Sequence, residues 1–383
     1  MSNILKFYVY FFLGRLNMWM VVYILYLLDR GFSMTQVTIL GSVFWFILVV
    51  FEIPTGSVAD KVGKKASLLC SCALSSIGLI FFGISHTFVA VLGAYTVWAI
   101  GVTFESGAAS AFLYDSLKEM GREEEYTKIM GGVMSVSFIS ASIGSVAAGF
   151  LGSISLSLPI LATGGISALM FLITLTFKEP EIERTSESYL KHVKSSVQYA
   201  SKHPQVKAII IYYALVFSVL WMLQIFYQPY LRNLGYAVGF IGIIYFLRRL
   251  LGACAAAVSA KFKDYVGEWT WLKLLPFLLA GSIFFMGVST TKVGVSFIFA
   301  HSFLSAVSTP IVSGYINKRI PSEKRATILS LMNLVNSLVM IPTEPLLGRC
   351  ADLFGLGNTF YITAAAFLPL TIVVLLFWRQ HTE

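Results

Sequence analysis

Arg15, Glu105, His301 and Glu344 stand inside long apolar runs of the chain. Each is costly to hold there unless it is paired or faces water. Arg15 falls about ten residues into the first run, and Glu105 about eight residues before the end of the fourth. At a rise of about 1.5 Å per helical residue, both lie roughly 12 to 15 Å from one common edge, close enough in depth to pair. Two chemistries are open to such a pair: a static guanidinium–carboxylate contact, or a carboxylate that takes part in proton or substrate coupling. His301 and Glu344 have similar depth in the tenth and eleventh runs. A shared proton and an ordinary packed imidazole are both open for them. Arg248 and the adjacent Arg249 lie mid-way along the eighth run and point about 100° apart, so at most one faces a given side squarely. Glu52, near the end of the second run, is expected to support the loop that follows it, and Asp115 to join the charged network at the end of the fourth.

The elements that must carry these groups follow from composition. The 383 residues are 57% hydrophobic and only 12% charged, with a mean hydropathy of +0.78. A soluble domain carries about 25% charged residues, so this is an integral membrane protein. A hydrocarbon core about 30 Å thick takes about 20 apolar residues per helical crossing. Twelve such runs are expected, near 4–28, 36–58, 66–85, 89–113, 128–152, 157–177, 205–228, 236–260, 271–289, 293–317, 326–348 and 356–378. If both termini are cytoplasmic, 21 of the 28 Lys and Arg fall at inner helix ends, four outside and three within helices. The positive-inside rule then explains the net charge of +9 as topology, with no need for nucleic acid. The first run is too long, and carries Arg15 too centrally, for a cleavable signal peptide. Cys70, Cys72, Cys254 and Cys350 have no spacing suited to a disulfide framework or a metal site. His192 and His203, about three turns apart, cannot share a metal on a straight helix.

Organisation comes next. Residues 1–177 and 205–383 each hold six runs, and 178–204 form a charged linker. Leu190, Val193, Val197 and Ala200 recur there at helical spacing, predicting an amphipathic helix on the inner leaflet. The stretch from Gly56 to Lys65, GSVADKVGKK, and that from Ala260 to Trp269, AKFKDYVGEW, align at an offset of 204 with Asp264 on Asp60 and Gly267 on Gly63. Both lie between the second and third runs of their half, which points to duplication.

Gly56, Asp60, Lys61, Gly63, Lys64 and Lys65 reproduce the pattern G-x-x-x-D-[RK]-x-G-[RK]-[RK]. With twelve runs and a decayed second copy, the chain resembles the major facilitator superfamily of secondary transporters over essentially its whole length. The two glycines suit close helix approach and a tight turn, and the lysines suit an anionic inner leaflet. The resemblance implies that Asp60 meets the N-terminus of the eleventh helix near Arg325 when the inner gate is shut. On the fifth run, Gly131, Ser140, Gly144, Ser145, Ala148 and Gly149 fall on the positions of the glycine-rich pattern of antiporters, without its proline. Small residues at this spacing also serve plain helix packing. Thr103 stands where many proton-coupled members carry an arginine.

The same resemblance implies that helices 1, 4, 7 and 10 line a central cavity. Tyr213, Phe217, Trp221, Gln224 and Gln228 form one stripe on helix 7, and Arg15, Trp19, Val22 and Tyr26 one on helix 1. Trp19, Tyr213, Phe217, Trp221, Gln224 and Arg248 are therefore candidate wall residues, with Asn333 and Ser337 on helix 11. Tyr26 and Tyr227 fit the outer interface better. Aromatic walls with sparse amides suit an amphipathic or aromatic solute. The expectation is an all-α membrane fold of two six-helix bundles, a monomer in the plasma membrane. It would move a small solute by alternating access, most simply by proton-coupled efflux in the manner of the drug-efflux branch. Uptake or facilitated diffusion of a polar metabolite, and a non-transporting sensor, are the alternatives. No HExxH, GxSxG or phosphate-binding loop occurs, so no enzyme chemistry, cofactor or metal is expected.

Overall fold

The computed structural model describes residues 3–181, 198, 200, 202–320 and 322–380. The amphipathic helix expected around residues 189–200 lies almost wholly outside them. Every regular element among the described residues is helical. In chain order they are α1 (Asn3–Leu16), α2 (Tyr23–Asp29), α3 (Met34–Lys61), α4 (Lys64–Ile84), α5 (Phe88–Glu105), α6 (Ala108–Glu119), α7 (Tyr126–Ile154), α8 (Ser157–Leu175), α9 (Pro204–Asn233), α10 (Val238–Val266), α11 (Glu268–Val288), α12 (Val295–Arg319) and α13 (Ser322–Gln380). Eleven stretches among the described residues are long and apolar enough to cross a membrane. The last, α13, is 59 residues long and consists of two helices meeting at Gly355, whose φ is 80°. Thr87 caps α5 by accepting from the Ala90 amide at 3.3 Å, and Pro204 opens α9, where its missing N–H costs nothing.

Two runs expected to be continuous are broken. The first is interrupted after Leu16 by Asn17, with φ 30°, and a 3-10 turn over Met18–Val21 before α2 resumes. Asparagine tolerates this left-handed conformation better than most residues. The fourth is interrupted after Glu105 by Gly107, with φ 74°, before α6. Glycine adopts that angle without the Cβ clash.

By backbone contact the chain forms two compact units. One comprises residues 1–32, 43–187 and 237–246; the other comprises 33–42, 188–236 and 247–383. The exchanged segments 33–42 and 237–246 are displaced by 204 residues, the offset already seen between the two loop stretches. Left-handed glycines repeat at the same offset: Gly31 (φ 82°) with Gly235 (φ 80°), and Gly63 (φ 133°) with Gly267 (φ 83°).

In the first unit α4 packs on α5 and α8, and α1 on α7. Small residues set these approaches: a Cβ at Gly78 would meet the Trp98 amide at 2.6 Å, and one at Gly101 the Ser75 amide at 3.0 Å. In lipid, where apolar burial gives little drive between helices, such close contact is a main source of association. Phe7, Tyr10, Leu68, Cys72, Phe112 and Leu117 form a core at one end. In the second unit α9 and α11 pack on α13, and Trp378 stands at 5.0–5.4 Å from the rings of Trp269, Tyr212 and Tyr315.

Candidate functional site

Arg15 and Glu105 meet. The guanidinium donates to Glu105 Oε1 at 3.1 Å and lies 5.1 Å from the Phe11 ring centre. Their side chains keep 44% and 24% of their exposure, so this pair is reachable from outside the protein interior. Arg15 is the penultimate residue of α1, and Glu105 the last of α5. Both charges thus stand at helix interruptions, where free backbone groups are tolerated at membrane depth only in a protein-lined or watered setting. Periodicity placed the two residues at one depth, but it carried no sign of the breaks.

Trp19 is only 1% exposed and packs among Tyr23, Phe82, Tyr95 and Trp98, at 4.7–6.1 Å between ring centres. It therefore belongs to the interior of its unit rather than to an exposed wall. Tyr26, expected at the outer interface, is also buried, donating to the Phe82 and Gly83 carbonyls.

In the second unit the α9 stripe runs from the stacked pair Tyr213 and Phe217, with ring centres 4.5 Å apart, to Trp221 (45% exposed) and Gln224. Gln224 Oε1 accepts from Arg248 at 2.9 Å, and the guanidinium stands 5.4 Å from the Tyr227 ring centre. Tyr227 hydrogen-bonds His301 Nδ1 at 3.1 Å, and His301 Nε2 meets Ser282 Oγ at 2.9 Å. Tyr227 is thus core rather than interfacial. His301 thus has a hydroxyl on each of its ring nitrogens. Glu344 is buried against Gly41. Asn333 is exposed, and Ser337 is spent on the Asn333 carbonyl of its own helix.

The loop after α3 is fastened by a residue that the sequence reading passed over. Glu179, just beyond α8, accepts from the amides of Lys64 and Lys65 through its two oxygens, each at 2.7 Å. A carboxylate on two N–H groups at the start of α4 satisfies donors that the helix leaves open and opposes its dipole. The left-handed Gly63 makes room: a Cβ there would approach the Glu179 carboxylate to 2.9 Å. Gly56 has nothing within 4 Å, so the close approach expected of it is not made. Loop lysines also act within the protein, Lys64 pairing with Asp115 and Lys65 donating to the Leu175 carbonyl at 2.8 Å. Lys178 pairs with Glu119 at 3.0 Å, and that contact raises its pKa. Asp60 is exposed at the end of α3, and Arg325 donates to the Asn317 carbonyl at 2.9 Å. In the second unit Glu268 and Lys318, 3.5 Å apart, repeat the Lys64–Asp115 pair with the charges reversed. Glu179→Ala is expected to lower stability by about 1–2 kcal/mol and to speed amide exchange at residues 64 and 65. Thermal unfolding and exchange mass spectrometry in detergent check this, with Glu179→Gln between the two.

A family model described as Major Facilitator Superfamily matches residues 7–344. The chain belongs to this superfamily. Its members are transporters and not enzymes. The "Uncharacterized MFS-type transporter YxaM" of Bacillus subtilis is 24% identical over 92% of this chain and 90% of its own length. The sialic acid transporter NanX of Escherichia coli is 20% identical over 93% and 88%. The class H tetracycline resistance protein of Pasteurella multocida is 23% identical over 78% and 76%. Among solved structures, that of the nucleoside transporter NupG superposes with a TM-score of 0.84 at 14% identity, covering 99% of this chain and all of that one.

Within this superfamily member the small-residue face of α7 is a packing seam. Ser140 donates to the Phe12 carbonyl, and a Cβ at Gly144 would fall on the carbonyl of Leu16. Gly149 meets Gly242 in the exchanged segment, where a Cβ would lie 2.9 Å from the Gly242 Cα. Thr103 spends its hydroxyl on the Ile100 carbonyl of its own helix.

Proposed function

We propose that this chain is a secondary active transporter that carries a small amphipathic or aromatic-bearing solute outward in exchange for protons. Bundles of six helices, residues 1–177 and 205–383 joined by the linker 178–204, alternate access to a site at mid-membrane depth. The chain crosses the plasma membrane twelve times with both termini in the cytoplasm, the α13 kink at Gly355 supplying the twelfth crossing. The observation that carries this reading is the Arg15–Glu105 pair, exposed at two helix interruptions. A charged pair held there is suited to meeting a solute or a proton. Trp221 and the Arg248–Gln224 pair supply an aromatic surface and donors on the other unit. The relative named for tetracycline resistance supports outward movement of such a solute. Uptake of a polar metabolite is the second reading, favoured by the relative named a sialic acid transporter and by the nucleoside transporter's fold.

Purified protein in sealed liposomes with a lumenal pH dye tests both, against a panel of lipophilic cations, sugars and organic acids. Proton movement driven by a lipophilic cation supports exchange. Solute flux without proton movement contradicts it. Asp60 belongs to the signature loop, and its carboxylate is the proposed partner of the helix that begins near Arg325. Asp60→Asn is expected to lower flux at least tenfold while the protein stays folded and monodisperse; an unchanged rate removes Asp60 from the gate.

A further inference from the structure

The N-terminus of α3 poses an accounting question, because the first amides of a helix have no partner within it. Local sequence answers half of it. Ser33 and Gln36 cap each other reciprocally, Gln36 N–H donating to Ser33 Oγ at 3.2 Å and Ser33 N–H to Gln36 Oε1 at 3.0 Å. The amides of Met34 and Thr35 go elsewhere. They donate to the two oxygens of Asp352, each at 2.8 Å, and the Thr35 hydroxyl adds a further bond to the same carboxylate. More than 300 residues of chain separate the partners, so folding alone brings them together.

Around this contact the fit is close. A Cβ at Gly348 would meet the Met34 carbonyl at 2.7 Å and the Thr35 Cα at 3.0 Å, and Ser42 donates to the Ile341 carbonyl at 2.6 Å. Thr38 is wholly buried beside Gly348. The other exchanged segment is held differently: a Cβ at Gly149 would lie 2.7 Å from the Gly239 carbonyl, and one at Gly152 would lie 2.9 Å from Val238 Cγ1. Stepping back 204 residues from Asp352 gives Ala148, which offers no acceptor side chain. One exchanged segment is thus fastened by a carboxylate, the other by close-packed glycine backbone.

We propose that Asp352 is a latch that holds the leading end of α3 in the conformer described and sets how readily that helix lets go. The idea rests on the alternating-access reading. In that reading α3 lies in the bundle 1–177 and Asp352 in the bundle 205–383, so a rearrangement of the two bundles must act on these bonds. The same device holds the start of the next helix, α4, where Glu179 grips the amides of Lys64 and Lys65. A charge-assisted bond to backbone N–H is strong in place, yet both partners are readily hydrated once parted. That suits a contact which must form and break.

The test uses the purified full chain in detergent, comparing parent, Asp352→Asn and Asp352→Ala. Amide exchange is read at residues 34–36 and, as a second segment, at 238–246. Modification of a Thr38→Cys variant by N-ethylmaleimide is followed by peptide mass, with Cys254 and Cys350 replaced by serine. In Asp352→Ala, exchange at both segments and labelling at position 38 are expected to rise at least tenfold, with Asp352→Asn between. Faster exchange confined to 34–36 would mean local fraying and overturns the proposal. So do rates within twofold of the parent at all sites. Unresponsive rates in protein that transports remove the latch alone; responsive rates in protein that moves no solute remove the transport reading and leave the latch.

Discussion

Alanine at Gly144 is expected to abolish properly assembled protein, whereas alanine at Gly131 on the same helix leaves it intact. A Cβ at 144 would land on the Leu16 carbonyl, with the Leu16 carbonyl carbon at 2.6 Å and its Cα at 2.9 Å. These are backbone atoms, so no side-chain rotation relieves the overlap and α7 must move off α1. Overpacking typically costs about 1–3 kcal/mol where side chains can adjust, and here they cannot, so a loss above about 3 kcal/mol is expected. At Gly131 nothing lies within 4 Å. Alanine there recovers up to about 1 kcal/mol of helix propensity. Size-exclusion profiles and thermal unfolding in detergent check both. Equal behaviour of the two variants would show that the seam yields more than its geometry implies. Because Leu16 ends α1 one residue from Arg15, the same seam also fixes where the exposed charge pair sits.

The second large effect is expected at the charge pair, and a double-mutant cycle separates its two roles. Removing one partner of a buried pair costs about 3–5 kcal/mol. With 44% and 24% exposure at Arg15 and Glu105, a stability loss nearer about 1 kcal/mol is expected for either single change, in keeping with the smaller worth of exposed pairs. Glu105→Gln keeps the shape and removes the titrating group. If Glu105 carries the proton, this variant loses substrate-driven proton movement at least tenfold, and its residual flux no longer varies with pH. Arg15→Gln together with Glu105→Gln then restores stability, but not coupling. A purely static pair gives the opposite result: the double variant, neutral on both sides, transports as the parent does with its pH profile unchanged. Liposome flux recorded with the lumenal pH dye at several pH values decides between them.

How much of this was legible without coordinates depends on the range of the interaction. Hydropathy determined that the chain is a helical membrane protein, because a bilayer enforces about 20 apolar residues per crossing wherever they occur. The spacing of Gly56, Asp60, Gly63 and the lysines determined the superfamily, because a tight turn between two helices imposes residue types at fixed short distances. The offset of 204 was visible in one loop and reappears in the paired glycines Gly31 and Gly235, Gly63 and Gly267, whose positive φ no other residue adopts as cheaply. Arg15 and Glu105 were placed at one depth by counting residues, and the structure brings them to 3.1 Å.

Tertiary structure alone decided what each of these groups touches. Helical periodicity ranks faces but does not say which face meets protein, so Trp19 and Trp221 read alike in sequence while one is 1% and the other 45% exposed. The breaks after Leu16 and Glu105 follow no periodic signal, since one asparagine or glycine in an apolar run changes hydropathy little. Glu179 and Asp352 look like ordinary loop acids in the sequence. They become clamps because folding sets each carboxylate against two backbone amides at a helix start, and such amides belong to every residue type except proline.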